Sequence, residues 1–251
     1  MSAGRWIASL DAPAKLTRSL RVVGVRPDGY HLIEAEMVSL DLCDRIELSV
    51  GDGVEAIDAA GAAIDLGPVE QNLVTRALRL ARRRAHVRID KRIPAGAGLG
   101  GGSSDAAAVL RWARFTDVGS AATIGADVAY CVIGGRCAVR GIGEQITPLR
   151  PEELVFTLLT PEVHCDTPSV YRRWDELGGP RGDHGNDLEP AALDLYPELA
   201  AARDRLAGLT GRRPHLAGSG STWFVEGSWD VPGAVVARNS DPASYLPRAR
   251  R

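Results

Sequence analysis

The chain has 251 residues, 30 Lys and Arg against 32 Asp and Glu, and 45% of it is hydrophobic. That length buries a substantial core as one large domain or two small ones, and the near-neutral balance excludes the basic surface of a nucleic-acid binder or of a protein held to anionic lipid. No run of 18 apolar residues occurs and the first dozen residues carry no secretory h-region, so a soluble, cytoplasmic protein is expected.

Residues 5–10 read as an opening strand. After Asp11-Ala12-Pro13, residues 14–23 read as a second, with Leu16, Leu20 and Val22 on one face. Lys15 stands at the start of that strand, where a lone lysine is ordinarily solvated. Arg26-Pro27-Asp28-Gly29 has turn composition. It leads into Tyr30-His31, an aromatic beside a histidine, which suits a planar base as well as simple packing. An apolar run over 32–42 and an alternating strand over 44–50 follow, and 51–67 reads as edge structure or loop. Asn72 is a good N-cap, and 73–81 set Leu73, Ala77, Leu80 and Ala81 on one helical face. Residues 86–93 alternate strictly, with Val87, Ile89, Lys91 and Ile93 on one side.

Beyond a glycine-rich stretch, a helix is expected over 106–113, then a polar connection. Asp127 precedes the apolar run 129–133, a position ordinarily taken by an N-cap. Gly134-Gly135 turns the chain into a strand over 136–140. A boundary near Leu149-Arg150-Pro151 divides a domain 1–150 from a domain 151–251, and a buried strand over 153–160 opens the second. Thr167 caps a helix with Pro168 at its first position, and Asn186-Asp187-Leu188-Glu189-Pro190 precedes another. Residues 199–209 form an amphipathic helix ending near Gly211, and a second glycine loop over 216–221 feeds a strand over 222–225. Cys43, Cys131, Cys137 and Cys165 are scattered and read as reduced, buried thiols. Arg82-Arg83-Arg84 and the terminal Arg248, Arg250 and Arg251 read as solvated faces or tails.

The stretch from Pro94 to Asp105 holds five glycines, Gly96, Gly98, Gly100, Gly101 and Gly102, before Ser103-Ser104-Asp105. Glycine loses more conformational freedom on folding than any other residue, so the run implies a backbone wrapped closely around something. The serines and the acid are N-cap and first-turn residues, and a helix opening there presents free N–H groups to a phosphate. A flexible linker is the alternative, but linkers are seldom bracketed by a strand and a helix. No lysine separates Gly102 from Ser103, which excludes the P-loop. Gly96-x-Gly98-x-x-Gly101 satisfies the dinucleotide pattern, yet 115–124 makes no second strand ending in an acid. The companion motifs of the protein kinases are absent.

The whole array resembles the GHMP small-molecule kinases. Residues 94–104 resemble that superfamily's second motif, Ala12-Pro13-Ala14-Lys15-Leu16-Thr17 its first, and Leu216-Ala217-Gly218-Ser219-Gly220-Ser221 its third. Within it, Pro13-Ala14-Lys15, Arg26-Pro27-Asp28-Gly29-Tyr30-His31, residues 98–104, Gly125-Ala126-Asp127-Val128 and residues 186–190 most resemble the 4-diphosphocytidyl-2-C-methyl-D-erythritol kinases of non-mevalonate isoprenoid synthesis. The resemblance implies an α+β GHMP kinase fold, with an N-terminal ribosomal-S5-like α/β domain and a C-terminal ferredoxin-like α+β domain. It implies ATP and Mg²⁺, a cytidine diphosphate-linked polyol as substrate, no nucleic-acid or membrane partner, and a monomer or homodimer.

The resemblance also assigns roles. Asp127 becomes the base that takes the proton of the substrate hydroxyl, and Lys15 orients it. Pro94, Gly96, Gly98, Leu99, Gly100, Gly101, Gly102, Ser103 and Ser104 hold the ATP phosphates, either serine touching the metal, while Asn72 and Lys91 lie near the adenine. Tyr30, His31 and Tyr171 take the cytosine, and Thr17, Gly218, Ser219 and Gly220 line the rest of the substrate. The chain departs from the family pattern at Thr17, usually Asn, at Met37, usually aromatic, and in a shorter connection over 115–124. These departures leave open a mevalonate- or homoserine-like kinase, or a non-catalytic nucleotide-binding paralogue. Retention of both Lys15 and Asp127 argues against the paralogue.

Overall fold

The computed structural model describes residues 6–245, so Arg5 of the expected opening strand and the arginines at 248, 250 and 251 lie outside the described residues. The strands expected over 5–10 and 14–23 are one, β1 (Trp6–Val25). It pairs antiparallel along its length with β2 (His31–Ser49), which likewise joins the two runs expected over 32–50. Pro13 does not end β1 because the register shifts there, from Pro13 opposite Cys43 to Lys15 opposite Ser39. A strand proline lacks only a donor, and an irregularity in the ladder absorbs it. Leu16, Leu20 and Val22 are buried together as their alternation requires.

β3 (Gly53–Ile57) and the two-residue β4 (Ala63–Ile64) form the far edge of this sheet, then α1 (Leu73–Leu80) crosses to β5 (His86–Asp90). α1 buries Val74, Ala77 and Leu78, with Leu73 and Leu80 only partly covered, so its core face is rotated from the expected one. β5 stops three residues early. The Asp44 carboxylate accepts from Arg92 N–H at 2.6 Å and Ile93 N–H at 2.8 Å, which draws the backbone out of the ladder.

α2 (Gly101–Trp112) begins before the expected 106 and is capped by Gly100, so Ser103 and Ser104 lie in its first turn and Asp105 just beyond it, rather than capping it. α3 (Val118–Ala122) occupies the polar connection, and α4 (Ala126–Ile133) carries Asp127 in its first turn, two residues past its cap, Gly125. β6 (Arg136–Gly141) and β7 (Gln145–Pro148) complete the sheet, whose order is β4-β3-β5-β2-β6-β7. β1 occupies one edge of β2, while β5 and β6 share the other. β7 was not expected, being short and without apolar alternation.

β8 (Val155–Leu159) opens a second antiparallel sheet, followed by α5 (Thr167–Glu176), α6 (Glu189–Leu195) and α7 (Leu199–Thr210). α5 is capped by Asp166, which accepts from Ser169 N–H at 3.0 Å, not by Thr167. β9 (His215–Leu216), β10 (Trp223–Glu226) and the unexpected β11 (Val235–Arg238) complete the order β11-β8-β10-β9, and a short 3-10 turn over Pro242–Tyr245 follows. The arrangement is α+β, and among the described residues no helix is long and apolar enough to cross a membrane.

One buried cluster joins the two sheets. It sets Ala14, Leu16, Val38 and Leu40 of the β1–β2 pair against Phe156, Leu158 and Phe224 of the second sheet, with Ile93, Ala97 and Leu99 of the glycine loop between them. The loop is therefore held by its own apolar residues, each worth roughly 1.5–3 kcal/mol for a large aliphatic side chain.

Candidate active site

The glycine loop is fixed by close approaches that only glycine permits. Gly98 has φ +74°, and a Cβ there would lie 2.4 Å from the Ala217 carbonyl oxygen and 2.5 Å from that of Gly220. The first glycine loop thus packs backbone to backbone on the second. Thr222 N–H donates to Ala97 O at 3.2 Å, and Lys15 N–H donates to Leu99 O at 2.9 Å, so β1, the first loop and the second loop are tied in sequence. A cleft of about 1450 Å³ runs along them, larger than the roughly 300–1,000 Å³ of a site for one drug-sized molecule.

Lys15 lies in this cleft with its side chain 8% exposed. Its Nζ is 3.1 Å from Asp127 Oδ2 and donates to Thr17 Oγ1 at 3.1 Å. Asp127 is 31% exposed and reaches the cleft from the first turn of α4, where the helix dipole favours an anion. The third Nζ proton of Lys15 remains for a ligand. Thr17 and Met37, the two departures noted above, are cross-strand partners that meet in the cleft wall.

At the base of α2, Lys91 pairs with both Asp44 and Asp105, the latter at 2.9 Å. Burial pushes the Asp105 carboxyl up to about 7, with Asp44 adding to the rise and Lys91 opposing it. Burial works against the Lys91 charge too, yet the two carboxylates hold its pKa above the ordinary value. Lys91 Nζ would stand 3.1 Å from a Cβ at Gly101, so it abuts the opening of α2. Asn72 lines the same end of the cleft, but its Oδ1 is taken by Val74 and Thr75 N–H groups. Only its NH₂ group is left for a ligand.

At the other end, His31 Nε2 is 2.9 Å from Asp175 Oδ1, and its ring lies 4.7 Å from Tyr171 and edge-on to Trp174. Tyr30 is 59% exposed, with the Arg26 guanidinium 5.8 Å from its ring centre. Ser219 Oγ shares a 2.7 Å hydrogen bond with Thr167 Oγ1, which links the second glycine loop to the start of α5.

Every residue singled out from the sequence lines this cleft except Ser104, which is fully buried under the first turn of α2. Of the two serines, Ser103 is the one that faces the cleft. Sequence reasoning passed over Asp44 and Asp175, and read Asp105 and Thr167 only as helix-start residues. Asp175 is one helical turn beyond Tyr171, a spacing that could have flagged it. The roles of the other three come from tertiary contacts that carry no local signal. The thiols are reduced as expected; Cys131, Cys137 and Cys165 are buried, and Cys43 is half-buried.

The family of GHMP kinases, N terminal domain, matches residues 72–135. A 4-diphosphocytidyl-2-C-methyl-D-erythritol kinase of Xanthomonas axonopodis pv. citri (strain 306) is 35% identical, over 94% of this chain and 90% of its own. A crystal structure of a 4-(cytidine 5'-diphospho)-2C-methyl-D-erythritol kinase superposes with a TM-score of 0.70 at 31% identity, covering 93% of this chain and all of that one. A homoserine kinase structure from Cytophaga hutchinsonii, 17% identical with a TM-score of 0.61 over 99% of this chain and 98% of its own, shares the fold alone.

Proposed function

The chain belongs to the 4-diphosphocytidyl-2-C-methyl-D-erythritol kinases, within the GHMP kinase fold, and from that premise we propose that it phosphorylates the 2-hydroxyl of 4-diphosphocytidyl-2-C-methyl-D-erythritol from ATP. This is a step of non-mevalonate isoprenoid precursor synthesis. The observation that carries the reading is the 3.1 Å contact of Lys15 with Asp127, set where the two glycine loops meet.

In this reading Asp127 takes the proton of the acceptor hydroxyl as its oxygen bonds to the γ-phosphorus and the bond to the departing ADP oxygen breaks. A positioned base contributes about 10²–10⁴-fold. Lys15 holds Asp127 in place and turns its remaining N–H toward the transferring oxygens, where charge stabilisation does most of the work. The loop from Pro94 to Ser103 receives the ATP phosphates, and Lys91 and Asn72 border the adenine end. The donor set fits Mg²⁺ carried on the phosphates: Ser103 offers a hydroxyl, and among the described residues no cluster of His, Cys, Asp or Glu could hold a metal on its own. Bound there, Mg²⁺ would neutralise charge on the transferred group.

Tyr30, Tyr171 and His31 receive the cytosine. A carboxylate at Asp175 can only accept, so it selects the His31 tautomer protonated on Nε2 and leaves Nδ1 as an acceptor for an exocyclic amine. Gly218, Ser219 and Gly220 line the path of the substrate phosphates beside Thr17. Purified protein with Mg-ATP should convert the cytidyl substrate to its monophosphate, measured by ³¹P NMR. Asp127→Asn should lower kcat by about 10²–10⁴-fold while leaving nucleotide affinity within a few-fold. Turnover of a different alcohol instead, or full activity in Asp127→Asn, would overturn the reading.

A further inference from the structure

Asn186 does not line the cleft and is only 2% exposed, yet it joins the parts that do. Its backbone stands beside β1: Leu20 N–H donates to Gly185 O at 2.8 Å, and Asp187 N–H donates to Leu20 O at 2.9 Å. Its side chain reaches the second glycine loop. Nδ2 donates to Leu216 O at 2.9 Å and to Gly218 O at 2.7 Å, while Oδ1 accepts from Leu188 N–H at 3.0 Å. Both partners of Nδ2 are carbonyls and the partner of Oδ1 is an N–H group. Only an amide in this one orientation satisfies all three, and a carboxylate, which only accepts, could not.

The consequence for the loop follows from peptide geometry. The Gly218–Ser219 peptide is planar, so its C=O and N–H point in opposite directions. With the carbonyl turned to buried Asn186, the Ser219 N–H is turned the other way, toward the cleft that Gly218 and Ser219 line. A carbonyl in that place would oppose a phosphate, whereas an N–H supports one. Meanwhile Asp187 accepts from Val22 N–H at 3.0 Å and Gly182 N–H at 3.1 Å and pairs with Arg21, which fixes the same turn to β1. β1 also carries Lys15, whose Nζ lies 3.7 Å from a Cβ built at Gly218.

We propose that Asn186 is a positioning residue for phosphoryl transfer. Its side-chain amide turns the carbonyls of the second glycine loop away from the cleft and sets that loop at a fixed distance from Lys15. The proposal rests on the kinase reading above. It separates two effects that simple loss of packing would merge, because Asn186 controls the loop's orientation and Asp187 controls only the turn's attachment.

The test compares kcat and KM for both substrates, and melting temperature, in Asn186→Asp, Asn186→Ser and Asp187→Asn. Both Asn186 variants should lose about 10–100-fold in kcat/KM for the acceptor, the scale of a small misplacement near the reacting atoms, with the KM of ATP within about threefold of wild type. Asp187→Asn should melt at a lower temperature with acceptor kcat/KM within about threefold. A loss that tracks melting temperature across all three variants would make Asn186 a packing residue and overturn the proposal. So would a wild-type-like Asn186→Asp, or failure of both Asn186 variants to fold. Failure of the wild type to turn over the cytidyl substrate would sink the functional reading instead. The same comparison would then be made on whichever alcohol the wild type phosphorylates, and a protein active on none would sink both.

Discussion

Asp44 and Asp105, both buried, share one ammonium group, that of Lys91, at the edge of the cleft. A carboxyl in an unfolded chain titrates near ~4, whereas burial, with Asp44 adding to it, holds Asp105 up to about 7 in the folded protein. Between those values the folded state binds the proton more tightly than the unfolded one, so this group's contribution to stability falls as pH rises through the window. Asp105→Asn removes the titration. Its melting temperature relative to wild type should therefore climb from about pH 4 to pH 7 and level off above; two parallel curves would refute the burial account. At this scale the sequence was half legible. Tyr30, His31, Lys15 and Asp127 sit in recognisable local company, so they could be named in advance. Asp105 could be named only as a first-turn residue, because what sets its charge is burial and its contacts with Lys91 and Asp44, which the fold brings together. The same holds for Asn186, whose motif was visible while its partners Leu216 and Gly218 were not.

Among the elements, the glycine loop offers two glycines with similar backbone angles and different neighbours. At Gly98 a methyl group meets backbone carbonyl oxygens of Ala217 and Gly220, in a turn closed by the Gly220 N–H to Ala217 O hydrogen bond. At Gly96 it meets the ring of His164, which can swing aside. Both positions carry the roughly 1–2 kcal/mol cost of a left-handed conformation for a residue with a Cβ, and only Gly98 adds a collision that nothing relieves. Gly98→Ala should thus raise the KM of ATP by at least about tenfold, and Gly96→Ala by no more than about threefold, in steady-state kinetics; equal effects would show that the contact between the loops is dispensable. The loop and its helix were legible from glycine count and helix-forming residues, as was the alternation of β5. Strand ends were not. Pro13 reads as a break until its partner strand shows the register shift that accommodates it, and β7 and β11 are too short to carry a period of their own.

For the whole molecule, we propose that the division near residue 150 separates two sheets without separating two folding units. The cluster that includes Phe156 and Phe224 also contains Leu16, Leu40 and Leu99, so either half alone would expose it. Phe156→Ala should cost about 3–5 kcal/mol and lower one shared transition, seen at the same denaturant concentration by circular dichroism and tryptophan fluorescence. Two separated transitions would contradict this. The order of the motifs along the chain announced the α+β class, but not how the halves interlock, since that depends on pairings between residues far apart in sequence. A last consequence belongs to β2, which has β1 along one edge and β5 and β6 along the other. Fraying at a sheet margin leaves such a strand covered where it is paired on both edges, over 33–38 and 45–49, so the amide hydrogens there should trade with solvent deuterium only when the entire protein opens. Exchange at β2 therefore keeps time for global unfolding, while β4 and β7 at the margins report only local opening.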